Sequence, residues 1–192
     1  LTLGGTDFLR HHYQGLNVHY EPLPLNPHAK VFRRTGDTTK SPVFGLIGTL
    51  GDATINANIQ ELCTAFAHVS ATSCIRINVV GGRALQESTR QSLIHTPSID
   101  CHFISATAQS DYFAALAACD VVLFLSSPDS YSVSASSVII DAVSLQLEVF
   151  SLPCRYAEEV AVQHPVRLFE SVSSLATEVT RRAAASPLGI NA

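Results

Sequence analysis

The sequence has no Met, no Trp and only two lysines, Lys30 and Lys40. Its 12 Lys+Arg against 16 Asp+Glu leave a formal charge of −4, which excludes the basic surface that sequence-independent nucleic-acid binding requires. No uninterrupted apolar run reaches the roughly 18–20 residues that span a bilayer. The five cysteines include no C-x-x-C pair, and no Cys/His cluster has ligand spacing, so no metal is expected. Cys63, Cys74, Cys101, Cys119 and Cys154 each sit in or beside an apolar stretch and read as buried free thiols of a reducing compartment. Charged residues at 15% against apolar residues at 46% exclude a disordered chain. A length of 192 fits one large domain, or one domain with an attached arm. Leu1 opens no basic-then-apolar leader, and with Met absent the expectation is a piece of a longer protein.

What is present is alternation. From residue 43 onward, short β-branched runs take turns with segments of helical apolar spacing. Val43–Ile47 reads as a buried strand, followed by a helix over 55–68 in which Ile55, Ile59, Leu62, Ala65 and Phe66 share a face. Ile75–Val80 is a second strand, 85–94 a helix, and Cys101–Ile104 a third strand. An Ala-rich helix over 109–119, with Ser110 as its expected cap, leads to a strand at Val121–Leu125. A helix near 136–145 precedes a strand at 148–152, and a short strand at 166–169 precedes a closing helix over 172–184. Strand–helix alternation with right-handed crossovers predicts a doubly wound, Rossmann-like α/β domain: a parallel sheet of about six strands, covered on both faces. Residues 1–42 differ. A short helix over 6–14 and a strand over 17–21 are followed by Pro22, Pro24, Pro27 and a polar stretch over 33–40. Such a stretch cannot build its own core, so 1–42 is expected to be the tail of a preceding domain plus a linker, with 43–192 as the binding domain.

In an open parallel sheet, ligands bind outside the carboxyl ends of the strands near a topological switch point. The loops there are 48–52, 81–83, 105–108 and 126–137. Gly48 and Gly51 would let the backbone approach a phosphate closely. The pattern is neither the G-x-G-x-x-G dinucleotide fingerprint nor a P-loop. Seven of the twelve residues 126–137 are serine, just before an apolar helix, which offers hydroxyls and a helix N-terminus to an anion. The competing reading is a solvated loop with one capping serine. Asp141, flanked by apolar residues, is either a half-buried helix residue with a hydrogen-bond partner or a carboxylate that accepts a vicinal diol of a sugar.

These segments carry a resemblance. A strand ending Gly48-Thr49-Leu50 stands where a GT-B-fold glycosyltransferase of the retaining group 1 type has G-R-L. Gly81-Gly82 stands at that family's glycine pair. Leu116 to Ser126 resembles its "l..aDv.v.ps" segment, and Asp141 to Val149 its "EA...G.PV" segment. The segment 19–25 resembles the strand preceding the family's second domain. The chain thus resembles the carboxyl-terminal, nucleotide-sugar-binding half of a GT-B fold. It departs from the pattern where the charges should be: the phosphate-binding Arg falls on Thr49, the Lys on or near Thr54, and the two paired glutamates on Val133 and Asp141. Arg83 and Arg155 are the candidate stand-ins for the missing cations. Ser136-Ser137-Val138-Ile139-Ile140-Asp141 is closer to the serine-pair turn of the capsule and teichoic-acid enzymes of that fold.

The resemblance implies transfer of a sugar from a nucleotide-diphosphate sugar to a polysaccharide, lipid or other glycan acceptor. It implies a hexosyltransferase within a longer chain, with this part alone inactive. Gly48, Thr49, Arg83 and the amides of Ser136 and Ser137 would hold the donor phosphates; Asp141 would bind the ribose; Ile104, Ser105 and Ala106 would face the base. No catalytic residue is assigned within the chain. The donor is a substrate, so no cofactor is implied. The implied partner is an acceptor-binding domain preceding Leu1, through which a cytoplasmic enzyme would sit at a membrane surface. The alternative is a non-catalytic Rossmann-like module acting as scaffold or ligand sensor, a reading to which the missing cations lend weight.

Overall fold

A computed structural model describes residues 2–13, 24–27, 29, 32, 41–48, 50–69, 74–81, 85–132 and 134–185. These residues form an α/β domain in which, among those described, seven helices flank one six-stranded parallel sheet. The strands are β1 (Val43–Ile47), β2 (Ile75–Val80), β3 (Ile99–Ile104), β4 (Val121–Phe124), β5 (Glu148–Ser151) and β6 (Val166–Leu168). All neighbours pair in parallel, in the order β3-β2-β1-β4-β5-β6, with Leu46 opposite Val79 on one side and Leu123 on the other. This is the doubly wound arrangement expected from the alternation.

The two faces of the sheet hold two separate cores, because successive strand residues point to opposite sides. On one face Phe44, Leu46, Ile77, Val79, Leu123 and Phe150 pack under α2 (Ala53–Ala67), α3 (Glu87–His95) and α7 (Val172–Ala185). On the other, Val80, Val122, Phe124 and Val149 pack under α4 (Gln109–Ala117), α5 (Ser137–Ser144) and α6 (Arg155–Ala161). Helices thus lie on both faces of the sheet, as the alternation predicts. Among the described residues α4 packs against β2, and on the edge strand Asp100 and His102 leave 47% and 57% of their side chains exposed, 3.1 Å apart.

Other differences are local. The helix α6 was not expected; its seven residues follow Pro153 and carry only Tyr156, Ala157 and Val160 as a buried face. Ser110 does not cap α4. Its N-cap is Ala108, whose N–H donates to Asp111 Oδ2 at 3.3 Å. The thiols divide: Cys63, Cys119 and Cys154 are buried, Cys101 is half-buried and Cys74 is exposed, because it lies just before β2 rather than within it. Among the described residues no helix is long and apolar enough to cross a membrane.

The described parts of 1–42 rest on the domain. Helix α1 (Leu3–His12) is capped by Thr2, whose Oγ1 accepts from Gly5 N at 2.9 Å. Its backbone lies so close to the β4–α5 loop that a Cβ on Gly4 would sit 1.7 Å from the Ser132 carbonyl oxygen. Leu3 N donates to Glu159 Oε2 of α6 at 2.8 Å, and Asp7 pairs with Arg155. Further on, Ala29 is buried in the second core, and Phe32 stacks on Phe113 with ring centroids 5.6 Å apart. The strand expected over 17–21 lies outside the described residues.

Candidate functional site

The strand order reverses direction between β1 and β4, so the crevice at their carboxyl ends is the switch point. Gly48 ends β1 with φ +110° and Gly81 ends β2 with φ +83°. A Cβ on Gly81 would lie 3.1 Å from the Gly48 carbonyl oxygen, and one on Gly48 would lie 2.8 Å from Val138 Cγ2. Both positions use backbone conformations that side chains rarely tolerate. The two glycines thereby bring the loops after β1 and β2 together and seat the first turn of α5 on the end of β1.

At the head of α5, Ser136 occupies the N-cap position without making a side-chain cap hydrogen bond. Its Oγ is buried and has no hydrogen-bond partner among the described residues. An unsatisfied buried hydroxyl costs about 1–3 kcal/mol, which a ligand oxygen would offset. Ser137, the next residue, is exposed. Where β1 and β4 end, the described residues Ile47, Leu50, Phe124, Ser126, Tyr131 and Val138 enclose about 20 Å³, room for one water.

The opposite helix start is already occupied. Asp52 caps α2, its Oδ1 accepting from Thr54 N at 2.8 Å and Ile55 N at 3.1 Å. A carboxylate there satisfies the helix end and repels a second anion. Buried Asn56 braces the same turn, donating from Nδ2 to Leu50 O at 2.7 Å and Asp52 O at 2.8 Å and accepting from Gln86 N at 3.1 Å. The turn after β1 is thus held by the protein's own groups.

Asp141 is buried in α5 and partnered. Its Oδ1 accepts from Asn26 Nδ2 at 2.8 Å, and Asn26 N in turn donates to Ser144 Oγ at 2.8 Å. The Tyr112 hydroxyl lies in the field of the same carboxylate; burial first, and then the Asp141 charge, push its pKa up. Of the two sequence readings, the partnered helix residue describes this geometry. A diol that used Oδ1 would have to displace Asn26.

Ile104, Ser105 and Ala106 come together with Gly81, Arg90, Phe103 and Thr107 around an open cavity of about 280 Å³ at the carboxyl ends of β2 and β3. Arg90, on α3, lies with Cζ 4.1 Å over the centroid of the Phe103 ring. Arg155, one of the two candidate stand-ins for the missing cations, is held by Asp7 and buttresses α1. Thr49 and Arg83 lie outside the described residues, as does Val133. Gly48, Ser136, Ser137 and residues 104–106 thus share the carboxyl edge of the sheet. Sequence reasoning missed Arg90, Phe103, Tyr112 and Asn26, because each acts through a neighbour distant in the chain. No group of three or more His, Cys, Asp or Glu residues among those described could hold a metal. The chain matches no protein-family model and no curated protein.

Proposed function

We propose that the chain is a nucleotide-binding domain that holds the donor of a GT-B-type glycosyltransferase, delivering a sugar from a nucleotide-diphosphate sugar to a glycan, polysaccharide or lipid acceptor. One observation carries this reading. The 280 Å³ cavity is lined by Ile104, Ser105 and Ala106, the residues assigned to the base, on the same edge as the Gly48 turn and the orphaned Ser136 hydroxyl. The base enters the cavity, and the diphosphate crosses the loops toward the amides of Ser136 and Ser137, where the N-terminal end of α5 favours negative charge. No residue of this chain is assigned to bond making. The acceptor site and any general base belong to a preceding domain, which would also carry any association with a membrane surface.

A second reading, a non-catalytic module that senses or scaffolds, draws support from the Asp141–Asn26 hydrogen bond, which occupies the carboxylate oxygen a ribose would use. Calorimetric titration with UDP-, GDP- and ADP-sugars separates the two. Tight binding of one donor that weakens about tenfold in Ser136→Ala, with thermal stability raised because the variant sheds a buried hydroxyl that has no partner among the described residues, supports the donor role. A folded chain that takes up none of them at millimolar concentration refutes it and leaves the second reading.

A further inference from the structure

We propose that the cavity between the ends of β2 and β3 selects guanine, with Arg90 as the residue that reads the base. This rests on the nucleotide-binding reading above. Arg90 is the one charged side chain lining the cavity among the described residues. Its guanidinium has no acceptor and no acidic partner among them, only the Phe103 ring beneath it at 4.1 Å. A guanidinium is planar, permanently charged, and carries five N–H donors and no acceptor. With Cζ held over the aromatic ring, the guanidinium keeps its N–H edge, a fork of parallel donors, without an acceptor among the described residues.

Such a fork is satisfied by two acceptors side by side. Guanine presents O6 and N7 in that arrangement, on the edge away from its sugar; adenine places an N6 amino donor beside both N7 and N1, and uracil sets an N3–H donor between its two carbonyls. Cytosine pairs N3 with O2, but O2 stands next to the glycosidic bond, so that edge reaches the fork only with the ribose against it; a parent that binds CDP as tightly as GDP overturns the choice of guanine. A phosphate or carboxylate would also fill the fork, but the walls argue against one. Phe103, Ile104 and Ala106 are apolar, and a lone cation against such walls does not repay the dehydration of a dianion. A flat neutral ring satisfies both the apolar walls and the donor fork. A volume of 280 Å³ is near the lower end of small-ligand pockets, about 300 Å³, and suits a nucleoside rather than a dinucleotide. Gly81, lacking a side chain, keeps the mouth open toward the loop that would carry the phosphates.

The test titrates the full chain with GDP, ADP, UDP, CDP, guanosine and inorganic phosphate, in the parent and in Arg90→Lys and Arg90→Met. Lysine keeps the charge without the fork; methionine keeps the packing on Phe103 without either. GDP is expected to bind about tenfold to a hundredfold more tightly than ADP in the parent. Both variants should bring GDP to the ADP level while leaving ADP unchanged, and guanosine, not phosphate, should compete with GDP. Equal binding of GDP and ADP by the parent overturns the proposal, as does an equal loss for all four nucleotides in Arg90→Met or displacement of GDP by phosphate alone. In those cases the nucleotide-binding reading survives. A parent that binds no nucleotide removes that reading and the base selection together. If Arg90→Met fails to fold, Arg90→Lys and the parent's base preference still decide the matter.

Discussion

Replacing Asp141 with Ala tests whether this carboxylate is a structural latch. The residue is 8% exposed and its carboxylate accepts from Asn26 Nδ2 at 2.8 Å. A hydrogen bond to a charged acceptor contributes about 1.5–3 kcal/mol. Asn26 is only part-buried in this contact, so water recovers some of the loss, and the lower end applies: about 1.5 kcal/mol. In a chain of this length each kcal/mol moves the Tm by about 2–4 °C, so Asp141→Ala should melt about 3–6 °C lower. Urea unfolding followed by circular dichroism measures the same difference in free energy. A cycle with Asn26→Ala should return a coupling of about 1 kcal/mol. The donor role makes an opposite demand on the partner: Asn26→Ala frees the carboxylate and should tighten nucleotide-sugar binding. An Asp141→Ala variant within about 0.5 kcal/mol of the parent, uncoupled to Asn26, would refute the latch.

Four further outcomes follow from the packing. Gly4→Ala cannot be accommodated without moving α1 off the Ser132 carbonyl, so it should make 2–13 newly sensitive to limited proteolysis while the sheet stays folded. Gly48→Val combines a φ of +110° with a clash on Val138 and should cost about 2–4 kcal/mol, read as a fall in the urea midpoint. Glu178, 12% exposed, is held down to a pKa of about 2 chiefly by Arg181, with Arg167 and Arg182 adding to it against a smaller upward push from burial. A lowered folded pKa stabilises above the ordinary value of 4.5 and is lost as pH falls from there toward 2. Because Arg181 is 61% exposed, the screened contribution is about 1–2 kcal/mol, and Glu178→Gln should flatten that limb of a pH–stability curve. Burial raises Cys63 to about 11 and Cys101 and Cys119 to about 12, so at pH 8 only exposed Cys74 should react quickly with a thiol reagent, counted by mass spectrometry.

Much of the fold was legible because its strands carry short apolar patterns. Val121–Phe124 is a continuous apolar run, Ile75–Val80 sets Ile75, Ile77 and Val79 alternately with Arg76 and Asn78, and the helices between them show their buried faces at regular spacing. Helix α6 was hidden because seven residues hold less than two full turns of pattern. The cap of α4 was misplaced because Asp111 reaches back three residues to Ala108 N–H, a competition that Ser110 loses. At the site, residues 104–106 could be placed from their position after a strand. Arg90 could not, since only the docking of α3 on β3 sets it over Phe103.

By itself, then, the sequence determined the layer architecture: apolar runs separated by helical segments leave a parallel sheet with crossovers as the way to bury both kinds of element. It also determined which loops stand at the carboxyl ends of the strands, because parallel strands all end on one edge. The order of those strands, and so the location of the switch point between β1 and β4, came from the tertiary structure. So did the fate of the charges. Asp141 is tied to Asn26, 115 positions away, and Arg155 to Asp7, 148 positions away. Local pattern records which residues are buried; which polar group finds which partner depends on distance in space, and folding alone sets that distance.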